Sequence, residues 1–511
     1  MKKLVYLLMG VGSLVASSYA CTTILVGKNA TKDGSIIIAR NEDGSSASDA
    51  IHFLYHQPRA KGYLYQSVQE NKFSYQMPDN LMGYSAAPDW ATRSTPSGGT
   101  FEEIGFNDVG VGISATETIF SNAKMLKVDP YLDESGVTGG ITEEAIPTII
   151  LPQVKSAREG VMLLGRIIET RGAGEGFGVA FVDSKEAWYL ENAGGHQWLA
   201  VRVPDNAYFV SGNQSRLGEV DLKDSKNYLA SPNLITFAEE HGLYNPKTDG
   251  KFPKTDGKFN FHKVYGKNDT TNSSIYKNDS YYNYQRVITL QGKYTKDTLK
   301  HPVTDGDFPV FLKPDHKLTI ADVESGLQNY YQGTTKDPYT TQNPAEKYRP
   351  ISVMRTQQSH ILQTREKLPQ PIANVIYLNL GMTALGIYVP FYQGATIPDS
   401  YQLATDQADD HSAFWKFRKL QTLAMQNFPK YAPWVQSGFA TLNQQIQAQQ
   451  TKFEADYVKL YKKDPVAAQA LLDNFTRMTQ KEVFTEVEQL TNQILTDMTN
   501  QVEKTYHFEG A

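Results

Sequence analysis

The chain has 511 residues, 40% of them hydrophobic and 21% charged, and a formal net charge of −5. This is ordinary globular usage in a chain long enough to bury a sizeable core, and its charge excludes a protein drawn to nucleic acid by electrostatics. The 30 Tyr and 23 Phe residues read first as packing residues.

The first twenty residues read as a secretory leader. Lys2 and Lys3 precede an apolar stretch from Leu4 to Val15, and Ser18-Tyr19-Ala20 puts small residues three and one before Cys21. The stretch is shorter than the roughly 20 residues that cross a bilayer, and no second long apolar run follows. A mature protein beginning at Cys21, with no membrane span and a secreted or cell-surface location, is the expectation. Cys21 is the single cysteine, so no intramolecular disulfide can form, although exported chains usually carry cysteines in even numbers.

Two specific roles compete for Cys21. A lipid anchor usually has Leu three before the cysteine and a small residue two before; Ser18 and the bulky Tyr19 argue against it. A catalytic role uses the α-amine, whose pKa of about 7.7–8.0 lets it accept the thiol proton on the same residue near neutral pH.

Thr22 to Val26 and Ser35 to Ala39 are short β-branched runs separated by Gly27, Asn29, Asp33 and Gly34, which predicts a β-hairpin. A loop over Gly27 to Gly34 makes paired residue numbers sum to about 61 in a hairpin without a bulge. That register sets Arg40 beside Cys21, with Asn41 and Asp43 just beyond. A guanidinium beside a thiol favours the thiolate, and the Asp43 carboxylate is placed to orient the α-amine.

Further hairpins are expected where Ile104–Phe106 and Val109–Ala115 flank Asn107-Asp108, and where Gly178–Val182 and Ala187–Glu191 flank Asp183-Ser184-Lys185. Strands are also predicted over Trp198–Val203, Tyr208–Val210, Val375–Leu380 and Leu385–Val389. Ser156 to Glu159 matches a capping box ahead of Val161, Leu164, Ile167 and Ile168, with Gly172 at the helix end. Residues 246–280 are polar and carry KTDGKF twice, at Lys247–Phe252 and Lys254–Phe259; an exposed insertion, or else a lid, is expected. From about Asp410 glycines thin out, and helical spacing appears at Phe414, Phe417 and Leu420 and again at Val483, Val487 and Ile494. Helices packed on the body are predicted there, with a homo-oligomer contact as the alternative use.

Other patterns carry less. Gly110 to Ala115 mimics a dinucleotide fingerprint without the helix it needs, and His52 and His56 lack the Glu of a zinc protease. Ser121 with Lys124 is a short pattern common by chance, and His360 reads as structural. No cofactor or metal is called for.

Cys21-Thr22-Thr23, Gly27-Lys28, Lys32-Asp33-Gly34-Ser35 and Ala39-Arg40-Asn41-Glu42-Asp43 resemble the start of bacterial dipeptidases of the dipeptidase-A type, which are cysteine N-terminal nucleophile hydrolases. Asn107–Thr118, Tyr348–Ile361 and Ile387–Tyr392 extend the resemblance to roughly Trp415. It implies an α+β fold, the four-layer αββα sandwich, in a catalytic domain over 21–409 that carries the insertion, followed by a helical region over 410–511. It implies hydrolysis of dipeptides or short peptides without a metal, with Cys21 as nucleophile, Arg40 beside the thiol and Asp43 beside the amine. Asn213 matches an oxyanion-hole asparagine, and Arg286 a further arginine near the nucleophile. Acylase relatives carry another asparagine where this chain has Glu117, or Thr116 after a one-residue shift; that departure favours a peptide over a bile salt or penicillin. An amidase of the choloylglycine hydrolase or penicillin V acylase type, and a lipid-anchored surface binding protein, are the rival expectations.

Overall fold

A computed structural model describes residues 21–68, 71–93, 99–132, 139–248, 258–274, 277–296, 306–340 and 347–507. The leader and most of the tandem KTDGKF copy lie outside those residues. The strands, in chain order, begin with β1 (Thr22–Val26), β2 (Ile36–Asp43), β3 (Leu54–His56) and β4 (Leu64–Gln66). They continue with β5 (Ser74–Gln76), β6 (Tyr84–Ala86), β7 (Ile104–Phe106) and β8 (Gly112–Thr118). Next come β9 (Phe177–Val182), β10 (Ala187–Ala193), β11 (Gln197–Arg202) and β12 (Tyr208–Ser211). The last are β13 (Tyr228–Ala230), β14 (Thr356–Thr364), β15 (Asn374–Leu380) and β16 (Val389–Tyr392).

Two six-stranded sheets form the body, ordered β12-β1-β2-β14-β15-β16 and β13-β11-β10-β9-β8-β7. Every pairing within them is antiparallel. Period-two alternation decides which face each residue serves. Leu25, Ile36 and Ile38 join Val182, Tyr189 and Leu199 in one core between the sheets. Ile24, Val26, Ile37 and Ala39 point the other way, into a core shared with Val287, Leu290 and Val323 of the helices Gln285–Tyr294 and Ile320–Leu327. The far face of the second sheet buries Val179 and Leu190 against Val161, Leu164 and Ile168 of helix Ala157–Arg171.

That last helix starts and stops as its sequence predicts, with one change. Ser156 Oγ accepts from the Glu159 amide at 3.2 Å, but the Glu159 carboxylate accepts from the Lys155 amide rather than closing a box on Ser156. Gly172 ends it at φ +78°, a conformation that suits glycine. Between β15 and β16 the expected hairpin differs: Thr383–Leu385 is a 3₁₀ turn, so the second strand begins only at Val389.

The described part of the expected insertion is not all exposed. Phe259, Phe261 and Tyr265 are buried in the core between the sheets, because Asn260 caps the short helix Phe261–Tyr265 and turns its apolar side inward. The C-terminal helices are Ala413–Met425, Phe428–Tyr461 and Pro465–Thr505. In the last of these Leu472, Thr479, Val483, Val487, Leu490 and Ile494 are buried, the three-and-four spacing of an amphipathic stripe. Phe453, Leu472 and Phe475 lie in the outer-face core with Ile24 and Ile37, whereas Val483, Val487, Leu490 and Ile494 join the core that holds Leu25 and Ile38. Among the described residues no helix is long and apolar enough to cross a membrane.

Candidate active site

The register of β1 with β2 decides what meets Cys21. Thr23 pairs with Arg40 and Thr22 with Asn41, so paired numbers sum to 63 rather than the expected 61. A shift of two keeps every residue on its predicted face. Cys21 therefore shares the inter-sheet face with Arg40, diagonal to it, and with Glu42, which lies directly across. The shift arises because the loop is held from outside: the amides of Asn29 and Ala30 donate to the Asp205 carbonyl, and Thr31 bridges Leu318.

Cys21 is fully buried. Arg40 Nη1 donates to its Sγ at 3.1 Å and also meets Glu42 Oε2 at 2.5 Å. Arg40 Nη2 reaches Glu103 Oε2 at 2.6 Å and the Ala115 carbonyl at 2.5 Å, while Nε donates to Ser114 Oγ at 3.2 Å. The guanidinium thus spans the gap between the sheets. Behind it, Ser114 Oγ and His360 Nε2 are 2.7 Å apart, and His360 Nδ1 lies 2.9 Å from Gln358 Oε1. Burial, and then the charge of Arg40, push His360 well below the usual imidazole range, so it is neutral and supports Arg40 without adding charge.

On the opposite face of β1 stands Arg286. It follows a π-helical turn, Ser280–Tyr284, and its Nε donates to the Tyr282 carbonyl at 2.9 Å. Nη1 donates to the Cys21 carbonyl and, at 2.9 Å, to Thr22 Oγ1. Nη2 donates to Asn213 Oδ1 at 2.8 Å and to Asn283 Oδ1 at 2.7 Å. Asn213 follows β12, the other neighbour of β1. Its loop is held by Glu191, whose carboxylate accepts from Ser215 Oγ at 2.7 Å and from the Arg216 amide at 2.8 Å. Gly212 lets Arg286 come this close, since a Cβ there would lie 2.9 Å from the guanidinium carbon.

Asp43 lies on the face of Asn41 and Thr22, away from Glu42. Arg349 Nη2 donates to its Oδ2, and Thr356 Oγ1 donates to Oδ1 at 2.5 Å. The Arg349 guanidinium and that of Arg286 lie 5.4 and 5.3 Å from the Tyr282 ring. The side chains of Thr116 and Glu117 lie outside the described residues; the backbone of β8 bulges between Ala115 and Glu117. Among the described residues no group of three or more His, Cys, Asp or Glu side chains is arranged to hold a metal ion.

A model of one peptidase family, "Peptidase family C69", matches residues 20–439. The chain belongs to peptidase family C69. It is therefore a hydrolase of peptide bonds. This C69 peptidase is 49% identical over 388 residues to a "Probable dipeptidase" of Salmonella dublin, covering 76% of this chain and 83% of that one. It is 34% identical over 416 residues to a "Probable dipeptidase B" of Lactococcus lactis subsp. lactis, covering 80% and 82%. It is 33% identical over 417 residues to the "Dipeptidase A" of Lactobacillus helveticus, covering 80% and 83%.

Within this C69 peptidase the five expected site residues fall into two linked groups and a neighbour. Cys21 and Arg40 share the inter-sheet face, Arg286 holds the Cys21 carbonyl from the other and carries Asn213 on its second nitrogen, and Asp43 pairs with Arg349. Glu42, Glu103 and Ser114 were not expected. Glu42 was within reach of strand alternation, being two residues past Arg40. Ser114 comes from the other sheet and Glu103 from the residue just before its strand β7, and neither leaves a local signal.

Proposed function

We propose that this peptidase hydrolyses dipeptides with Cys21 as an N-terminal nucleophile, exposed when residues 1–20 are removed on export. The contact that carries this reading is Arg40 Nη1 at 3.1 Å from Cys21 Sγ. While residue 20 is attached, the nitrogen of Cys21 is an amide and cannot take up a proton. Cleavage of the 20–21 bond turns it into an amine, which accepts the thiol proton directly or through one water. Arg40 favours the thiolate, which attacks the peptide carbonyl carbon. The oxyanion is held by the Asn213 amide and backbone N–H groups. Collapse of the tetrahedral intermediate breaks the C–N bond, and the leaving amine takes the proton from the α-ammonium of Cys21. Water, deprotonated by the same amine, hydrolyses the thioester and restores the thiol. Asp43 orients the amine.

The two facing sheets with helices outside them fit the αββα sandwich of N-terminal nucleophile hydrolases. On this reading 21–409 is the catalytic domain and 410–511 a helical region packed on it. The relatives' names support the dipeptide substrate, and the start of the family match at residue 20 supports the cleavage point. The test is mass spectrometry of the exported protein's N-terminus together with a panel of dipeptides and N-acyl amides. A free Cys21 and release of amino acids from dipeptides are expected. A diacylglyceryl adduct on Cys21, or activity confined to acyl amides, overturns the proposal.

A further inference from the structure

Arg40 faces two buried carboxylates, Glu42 at 2.5 Å and Glu103 at 2.6 Å, whose side chains are only 2% and 4% exposed. Glu42 uses Oε2 toward Arg40 and lies 3.9 Å from Cys21 Sγ, while its Oε1 is buried with no hydrogen-bond partner among the described residues. Buried polar atoms are seldom left unpaired, and an exception calls for a ligand or another explanation.

We propose that Glu42 Oε1 receives the free α-ammonium of the substrate and so restricts this peptidase to unblocked peptides. The inference rests on the dipeptide reading above and adds the group that selects the substrate. An ammonium there is one residue's reach from a thiolate attacking the first peptide carbonyl, so the scissile bond is the one after the first residue. The bound cation also gives the buried Glu42 oxygen a donor that a neutral N-acyl group supplies less well. Glu103 remains the partner of Arg40 throughout, so substrate binding leaves the guanidinium in place beside the sulfur.

The test compares alanyl-alanine with N-acetyl-alanyl-alanine on the mature wild-type enzyme and on Glu42→Gln. Loss of a charge-assisted contact in a buried site costs roughly ten- to a hundred-fold. The ratio of kcat/KM for the free over the acetylated dipeptide should therefore fall at least tenfold in Glu42→Gln. Calorimetry on Cys21→Ala, with and without Glu42→Gln, gives the same comparison without turnover: affinity for alanyl-alanine should drop and that for the acetylated form should not. An unchanged ratio, or an equal loss on both peptides, overturns the role of Glu42, because it then acts on Cys21 or Arg40 alone. A wild-type enzyme inactive on every free dipeptide overturns the dipeptide reading itself, and this inference with it.

Discussion

Arg286 Nη2 donates to Asn213 Oδ1 at 2.8 Å. An amide has one acceptor end and one donor end, so this bond turns the Asn213 oxygen to the arginine and the NH2 group away from it. The arrangement suits an oxyanion donor. Asn213→Ala should lower kcat by about 10²–10³ and leave the fold intact by circular dichroism. Gly212→Ala should act on the same step from a distance, since its Cβ would press on the Arg286 guanidinium. Equal kcat for wild type and Asn213→Ala on any cleaved dipeptide would remove Asn213 from the reaction.

The chain has one thiol, so iodoacetamide offers a clean count. One carbamidomethyl group per mature molecule should abolish dipeptide hydrolysis, followed in parallel by intact mass and turnover. Full labelling with activity retained would mean the thiol is not the nucleophile.

Arg40 carries both chemistry and stability. Arg40→Met takes the guanidinium away from two buried carboxylates, and breaking a buried pair this way costs about 3–5 kcal/mol. Arg40→Lys keeps the charge but loses the fork that serves Sγ, Glu42, Glu103 and Ser114 together. The lysine variant should therefore fold, as read by urea denaturation, yet turn over far more slowly than wild type.

The hairpin after Cys21 shows how much of this site was legible. The β-branched runs and turn residues placed the two strands, and alternation put Arg40 on the face of Cys21. The register was two residues off because Asp205 and Leu318, remote in sequence, fix the loop. The same non-local cause hid Glu103 and Ser114, which reach Arg40 only because the sheets face each other. Consecutive strands also mislead: β11 and β12 are neighbours in sequence but belong to different sheets. The C-terminal helices were legible as amphipathic stripes, whereas the burial of Phe259 and Phe261 was masked by the polar residues around them.

Burial raises three carboxyls, Asp89, Glu191 and Glu324, to about 7 each. Each binds its proton more tightly folded than unfolded, so its contribution is complete below the ordinary carboxyl range and is lost as pH rises toward about 7. Melting temperature should accordingly fall between about pH 5 and pH 7 and level off above that. Glu324 is the residue to test, since it accepts from Asn443 Nδ2 at 2.8 Å, between the helices Ile320–Leu327 and Phe428–Tyr461. Glu324→Gln should flatten the decline while kcat/KM stays at the wild-type value. A decline of unchanged steepness would show that Glu324 titrates elsewhere.

Asp43 poses a separable question, because its partner Arg349 is itself buried. Burial opposes the charge on Arg349, but Asp43 more than offsets this and holds the guanidinium protonated. Asp43→Asn removes the carboxylate that offsets the burial of Arg349 and should cost about 3–5 kcal/mol in urea unfolding. Adding Arg349→Met removes that buried charge as well, so the double variant should recover much of that loss. If Asp43 orients the amine of Cys21, stability returns without activity. Should kcat/KM on dipeptides return together with stability, Asp43 serves only to neutralise Arg349, and the amine is positioned by other groups.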